Sequence, residues 1–441
     1  MANPESKPER DTIFAPATAA GRAGVAVIRV SGPMADAALK AVTREDLPAE
    51  RSAVLRTLYD PSNSNRIDVG LVLRFFSGSS YTGENVVEFQ VHGGRAVTAA
   101  LLDVLSHLPG LRFAEPGEFT RRAVEAGRMD LTQAEAIADL VNAETEAQRR
   151  QALSQLEGRL GERYEDWRSR LIRAAAWIEA GIDFPDEELP ATVTARGDAQ
   201  LAEILSEIRA HLDDGRRGEI LREGLHVAII GPPNAGKSSL INALAKRDVA
   251  IVSETAGTTR DVIEVRLDLK GYPVILADTA GLREAKDAIE AEGIRRALSR
   301  AERADLRLLV LDASVGLTKA EIPAKAEIVA WNKADLVEKR DRPGTWLSTK
   351  TGEGIDELIE QLAQHAAKNL GADEAPALTR ARHRQALEVA ASALGEAISS
   401  TESELKAEHV RLGLRAIGRI TGRVDLDELL DVVFRDFCIG K

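Results

Sequence analysis

Apolar and polar positions alternate in three short stretches near the start of the chain. GVAVIRVSG (24–32), DVGLVLRFFSG (68–78) and ENVVEFQVHGG (84–94) are rich in β-formers and end in glycine, the pattern of half-buried strands closed by turns. AVTAALLDVLSHL (96–108) changes to a spacing of three and four and predicts a helix. Residues 1–118 are therefore expected to form an α/β domain.

Beyond residue 118 the period is helical. Leu153, Leu156, Leu160, Tyr164, Trp167 and Leu171 form one apolar stripe, which predicts a single long helix packed on a partner. DFPDEE (183–188) interrupts the helices; its three acids read as a capped loop into the next helix more readily than as a cation site. From 225 to about 370 short apolar runs alternate with helical ones, as a doubly wound α/β domain requires. After Pro376 the pattern is helical again, with Leu387, Ala390, Ala391 and Leu394 on one face. Helical sequence on both sides of an α/β unit predicts a helical domain (119–220 and 373–441) with the α/β domain (221–372) inserted into it. The fold class expected is multidomain, α/β with all-α.

Composition changes this picture little. With 44% hydrophobic and 29% charged residues, 441 residues can bury several cores. One cysteine excludes an internal disulfide framework and points to a reducing, cytoplasmic setting. No apolar run approaches the roughly 20 residues of a membrane span, and MANPESKPERD lacks a signal peptide's apolar region. A net charge of −12 argues against a protein that coats nucleic acid, so any RNA substrate is held by a restricted surface or with a partner's help.

The inserted domain carries legible chemistry. HVAII (226–230) reads as a buried strand and is followed by GPPNAGKSS, a G-x-x-x-x-G-K-[ST] motif that leads into a helix. Backbone N–H groups across Asn234, Ala235, Gly236, Lys237, Ser238 and Ser239 can cradle phosphates, Lys237 can reach the β and γ groups, and Ser238 can ligate Mg²⁺. PVILADTAG ends a second strand at Asp278, placed to hold Mg²⁺ through water, with Gly281 able to donate to a γ-phosphate. A third strand ends in Asn332-Lys333-Ala334-Asp335. A carboxylate at Asp335 can accept from both N–H groups on one edge of guanine, which adenine does not offer, so GTP is the expected nucleotide. LSTKTGEG (347–354) fits the loop over the base, with Ser348 and Thr349 contributing.

ETAGTTRD (254–261) lies where a first switch segment belongs, and Thr258 or Thr259 could complete the Mg²⁺ shell. The glutamine that orients water in Ras-like enzymes is replaced by Leu282. An arginine finger typically contributes about 10³ to 10⁵ in rate, about 4 to 7 kcal/mol, so another cation and base must compensate. Asn234 could help bind a monovalent cation. Glu284, Asp287, Glu290 and Glu292 are all candidate bases, and spacing does not choose among them.

GPPNAGKSS, GTTRD, DTAGLRE, NKAD, PGEFTRRAVEAGRMDLTQAEAIADL (116–140), DFPDEE and the closing FCIGK together resemble the MnmE (TrmE) family of tRNA-modifying GTPases, over nearly the whole chain. The resemblance implies an N-terminal folate-binding and dimerising domain, a helical domain and an inserted Ras-like P-loop G domain. It implies a potassium-activated GTPase acting as a homodimer. With an FAD-dependent MnmG-type partner, in a heterotetramer or larger complex, the family modifies carbon 5 of the wobble uridine of certain tRNAs. The one-carbon unit comes from a tetrahydrofolate derivative, in the 5,10-methylene or 5-formyl form; FAD enters only through the partner. Residue by residue, it assigns K⁺ to Asn234, Ser253, Thr255 and Thr258, Mg²⁺ to Ser238 and Thr259, and the general base to Glu290.

For folate the matching positions are Arg29, Glu88 and Arg128, each of which alone reads as an ordinary surface charge. The family often has lysine at the last of these, so at Arg128 a planar fork replaces a point charge. FCIGK has the outline of a prenylation box at Cys438, but Gly440, Lys441 and the acidic residues upstream do not fit one. The resemblance places Cys438 near the modification chemistry instead. The alternative, a regulatory GTPase switch in ribosome assembly, would be favoured by a G-x-x-G RNA-binding module after the G domain, and none is evident.

Overall fold

The computed structural model describes residues 11–183, 191–251, 264–278, 304–315, 326–371, 377–424, 433, 434, 437 and 440. The chain divides into two compact units, Met1–Ala138 with Gly418–Lys441, and Asp139–Ile417.

In the first unit, β1 (Thr12–Pro16), β2 (Ala23–Ser31), β3 (Val54–Tyr59), β4 (Arg66–Phe75), β5 (Val86–Gly93) and β6 (Leu111–Phe113) make one sheet in the order β3-β4-β5-β2-β1-β6. Neighbours run antiparallel except β1 beside β6. Side chains in a strand point alternately to the two faces, and here the alternation decides what each face does. Phe14, Ile28, Val30, Val87 and Phe89 point to one face, where they pack with Leu39 of α1 (Ala35–Thr43) and Leu101 and Leu105 of α2 (Arg95–His107). Ile13 and Ala15 point to the other and meet Phe119 of α3 (Glu118–Glu125). Arg29 and Glu88 belong to this second face.

The far end of the chain completes this unit. Phe434 and Phe437 pack with Val124 and with Leu131 and Ala134 of α4 (Leu131–Asn142). Gly117 is left-handed at φ 70°, and a Cβ there would come within 2.9 Å of both phenylalanines. Gly440, at φ 102°, lies so close to β1 that a Cβ would collide with the Pro16 carbonyl.

The second unit begins with helices. The single helix expected over the 153–171 stripe is two: α5 (Glu146–Leu156) and α6 (Arg159–Asp183). Gly158, left-handed at φ 92°, ends the first, and its carbonyl accepts from Glu162 to start the second. The stripe survives the break: Leu160, Tyr164, Trp167 and Leu171 are all buried. α6 packs on α7 (Ala191–Leu212), which buries Leu201, Ile204 and Ile208 and also packs on the helix Ala381–Ser399. DFPDEE beyond Asp183 lies outside the described residues.

After α8 (Arg217–Glu223) come β7 (Leu225–Ile230), α9 (Lys237–Ala245), β8 (Glu264–Leu269), β9 (Tyr272–Asp278), β10 (Leu306–Asp312), β11 (Ile328–Asn332), β12 (Thr345–Trp346) and α10 (Ile355–Leu370). The sheet order is β12-β11-β10-β7-β9-β8, parallel except for the edge strand β8. Leu225, Val227 and Ile229 of β7 enter one core and Ala228 and Ile230 another, so the sheet is buried on both faces, as parallel sheets are. The segments entering and leaving this sheet run against each other: Gly218 leaves no room for a Cβ beside the Leu378 carbonyl. Arg384, in α11 (Ala381–Ser399), donates to the Leu212 carbonyl and pairs with Asp214 and Glu219. That is the geometry of an insertion into a helical domain, which α12 (Ser403–Thr421) continues.

α5 also grips the inserted sheet. Its N-terminus carries a capping box between Thr145 and Gln148, the Ala147 N–H donates to the Gly271 carbonyl in the β8–β9 turn, and Glu144 pairs with Arg266 of β8 at 3.0 Å.

Candidate functional site

The phosphate-binding loop follows β7 because that strand ends at Ile230 and the next helix begins at Lys237. Its bends need glycine at two places. Gly231 is at φ 145° and a Cβ would collide with the Val310 carbonyl; Gly236 is at φ 93° and a Cβ would collide with the Asn332 side-chain amide. Asn234 is also left-handed, at φ 61°, and exposed, while Ala235 is fully buried. The buried Lys237 ammonium donates to the Gly231 and Pro232 carbonyls, both at 2.9 Å, so it caps the loop from inside. Ser238 and Ser239 open the exposed side of α9.

Three other elements converge here. Asp278 is the last residue of β9 and pairs in register with Ile229, so its backbone lies at the same sheet edge as the loop. Asn332, buried at the end of β11, donates from Nδ2 to the Ala235 carbonyl at 2.8 Å and accepts from the Thr349 N–H at 3.2 Å. One amide thus ties the phosphate loop to LSTKTGEG. Asp335, in a 3₁₀ turn Ala334–Leu336, accepts from the Ser348 hydroxyl at 2.7 Å, which fixes its carboxylate.

Sequence reasoning missed one member of this group. Asp312 ends β10 opposite Asn332, and its carboxylate pairs with the Lys333 ammonium at 2.5 Å and accepts from Ser314. Burial alone would raise its pKa, but the hydrogen bonds from Lys333 and Ser314 outweigh it and hold the carboxyl below the ordinary value. The available signal was an acid at the C-terminal end of a buried strand, LRLLVLD, the place where ligands meet parallel sheets.

A second constellation occupies the first unit. Arg29 and Glu88 face each other across β2 and β5, joined at 2.9 Å, with side chains only 20% and 17% exposed. They are a partly buried pair and not ordinary surface charges. The guanidinium of Arg29 lies 5.4 Å from the Tyr81 ring and 5.7 Å from the Phe119 ring, and the Tyr81 hydroxyl bonds that of Thr120 at 2.8 Å. Burial pushes the Tyr81 phenol up. Arg128 donates to the Gly78 carbonyl at 3.3 Å, on the loop that carries Tyr81. Beneath lies a buried network in which Arg122 binds Glu84 and Glu118, and Glu118 also takes Arg112 at 2.6 Å. Burial would raise the Glu118 carboxyl, yet these arginines keep it below its usual range.

Ser253, Thr255, Thr258, Thr259, Gly281, Glu290 and Cys438 lie outside the described residues. A cavity of about 1150 Å³ sits elsewhere in the second unit, among Arg150, Arg163, Asp214 and Tyr272. It contains none of the phosphate-loop residues, and acids as well as arginines line it, among them Asp166, Glu207 and Asp213.

A family model described as the MnmE helical domain matches residues 131–438, and one described as the GTP-binding protein TrmE N-terminus matches residues 12–128. The tRNA modification GTPase MnmE of Parvibaculum lavamentivorans is 55% identical over 437 residues, covering 98% of this chain and 100% of that protein. The mitochondrial 5-taurinomethyluridine-[tRNA] synthase subunit GTPB3 of Danio rerio is 45% identical over 471 residues, covering 98% of this chain and 94% of that one. Among solved structures, the G domain of the T. maritima FeoB iron transporter is 31% identical, covering 32% of this chain and 98% of that one, with a TM-score of 0.25.

Proposed function

The chain belongs to the MnmE family of tRNA modification GTPases, and from that premise we propose how its parts divide the work. The inserted domain binds GTP. The observation that carries this is the Asn332 side chain, which locks the phosphate loop to the LSTKTGEG loop while Ser348 holds Asp335. Asp335 accepts from guanine, and the N–H groups from Asn234 to Ser239 surround the phosphates. Lys237 exchanges the Gly231 and Pro232 carbonyls for β- and γ-phosphate oxygens. Ser238 and Thr259 would hold Mg²⁺, Asp278 would stand in its outer shell, and Gly281 would donate to the γ-phosphate. Asn234, exposed in its left-handed turn, offers its side-chain carbonyl to K⁺ with Ser253, Thr255 and Thr258. When bound, the cations supply the positive charge that the β–γ bridging oxygen needs as it leaves.

Glu290, through a bridging water, orients the water that attacks the γ-phosphorus and takes its proton. The Leu282 position leaves that task to a group elsewhere in the segment. GDP and phosphate leave, and the protein passes between two states.

The first unit holds a tetrahydrofolate derivative. Arg29 and Glu88 present a fixed donor and acceptor, Tyr81 supplies flat apolar surface, the buried Phe119 backs the Arg29 guanidinium, and Arg128 stands at the loop edge; this set suits a planar hydrogen-bonding heterocycle. As a homodimer in the cytoplasm, and with an MnmG-type FAD partner, the protein directs the one-carbon unit to carbon 5 of the wobble uridine of certain tRNAs. Phe437 and Gly440, on either side of Cys438, are both seated in this unit, which supports a role for the thiol near that chemistry.

The test is GTP turnover in K⁺ against Na⁺, with Asn234→Ala as control. Faster turnover in K⁺, lost in the variant, is expected; equal rates in the two salts defeat the potassium assignment. Loss of the wobble modification by mass analysis after deletion tests the pathway.

A further inference from the structure

We propose that Asp312 is a positioning residue for the nucleotide base, acting through Lys333. The inference rests on the reading of Asp335 as the guanine acceptor.

The side chains on either side of Lys333 are already fixed. Asn332 is tied to the phosphate loop and Asp335 to Ser348, so the plane in which a base can meet Asp335 is set by the protein. Lys333 itself is left-handed, at φ 63°, which turns its side chain away from the strand direction. Its ammonium reaches back to the end of β10, where Asp312 holds it at 2.5 Å. The four-carbon stem therefore crosses the C-terminal edge of the sheet from β11 to β10, a place where α/β sheets receive ligands. An apolar stem held there is a surface on which one face of a purine can lie, as lysine stems cover apolar surface while the charged head stays polar.

A lysine left to itself samples many rotamers and loses that freedom when a base packs on it. Asp312 removes the freedom beforehand. The carboxylate is itself fixed, because Ser314 donates to it from both its N–H and its hydroxyl, at 2.9 and 2.6 Å. Its side chain is 15% exposed and that of Lys333 35%, so the pair is screened less than a surface pair. Preorganisation of this kind strengthens binding without entering the chemical step. The side-chain partners of Asp312 are Lys333 and Ser314, neither of them assigned to the phosphates or the metals, so its removal should weaken nucleotide binding and leave hydrolysis of the bound nucleotide alone.

The experiment compares the full-length parent with Asp312→Asn, Lys333→Met and the double variant. The readouts are the Kd of a ribose-labelled fluorescent GDP and the KM and kcat for GTP. Asp312→Asn is expected to raise Kd and KM about tenfold, with kcat within about twofold of the parent. In the Lys333→Met background Asp312→Asn should add nothing, because the residue it positions is gone. Additive losses, or a Kd for Asp312→Asn within twofold of the parent, overturn the proposal. Asp335→Asn serves as the separate arm. If that variant loses GDP while Asp312→Asn does not, this inference fails and the base site stands; if Asp335→Asn binds GDP like the parent, both fail.

Discussion

His211, at the end of α7, gives the clearest quantitative prediction. The ring packs edge-on against Tyr164 and Trp167, with centroids 6.1 and 5.6 Å away, and accepts at Nδ1 from the Arg163 guanidinium at 3.1 Å. Burial, reinforced by the Arg163 charge, pushes its pKa from the ordinary 6.5 down to about 4. A base depressed in the native state is neutral when folded but takes up a proton when unfolded, so the unfolded chain binds more protons between about pH 6.5 and 4. Stability is therefore complete above pH 6.5, falls as the pH drops through that window, and levels off below 4. At pH 5 the linkage costs about 2 kcal/mol, and at its limit about 3.4 kcal/mol, for a fall from 6.5 to about 4.

The perturbation is His211→Asn, whose amide oxygen can accept from Arg163 as Nδ1 does but does not titrate. Urea unfolding of both proteins at pH 7.5 and pH 5.0 isolates the effect, since losses from carboxylates common to both cancel. The parent should lose about 2 kcal/mol more than the variant. NMR titration should place the ring near pH 4. Equal losses in the two proteins, or a ring titrating near 6.5, refute the reasoning.

Asp335→Asn removes two charge-assisted hydrogen bonds to guanine of about 1.5–3 kcal/mol each, so GDP affinity by equilibrium binding should fall roughly 10²–10⁴-fold. Xanthosine diphosphate, which carries a carbonyl in place of the exocyclic amine, should bind the variant better than the parent. Arg122→Met takes the buried guanidinium from Glu84 and leaves Glu118 with Arg112 alone, and should cost about 3 kcal/mol by chemical denaturation. Gly440→Ala must move the chain end off the Pro16 carbonyl. Wobble-uridine modification, read by mass, should then fall sharply while GTP turnover stays within about twofold of the parent.

Much of this was legible in the chain because the relevant signals are local. HVAII followed by GPPNAGKSS encodes a strand, a turn and a helix within fifteen residues, and the period-two runs at 24–32 and 84–94 named their own strands. What the sequence concealed depends on pairing. Arg29 and Glu88 become a partly buried pair only in the register of β2 on β5, and Asp312 finds Lys333 only because β10 lies beside β11. The stripe from Leu153 to Leu171 misled for a different reason. Apolar spacing continued through Gly158, but the left-handed backbone there divides the helix, and a hydrophobic pattern does not record backbone handedness.

The two-ended construction of the first unit also sets an order of events during synthesis. Its sheet leaves the ribosome before the second unit, yet Phe434, Phe437 and Gly440, which pack within the same unit as that sheet, emerge only after the second unit. At an ordinary pace of translation that wait is on the order of half a minute. Through it the surface around Gly117, Leu131 and Pro16 stands uncovered, available to chaperones and to the wrong neighbour. Loss of Phe434, Phe437 and Gly440 would leave the GTP-binding residues intact and impair the first unit.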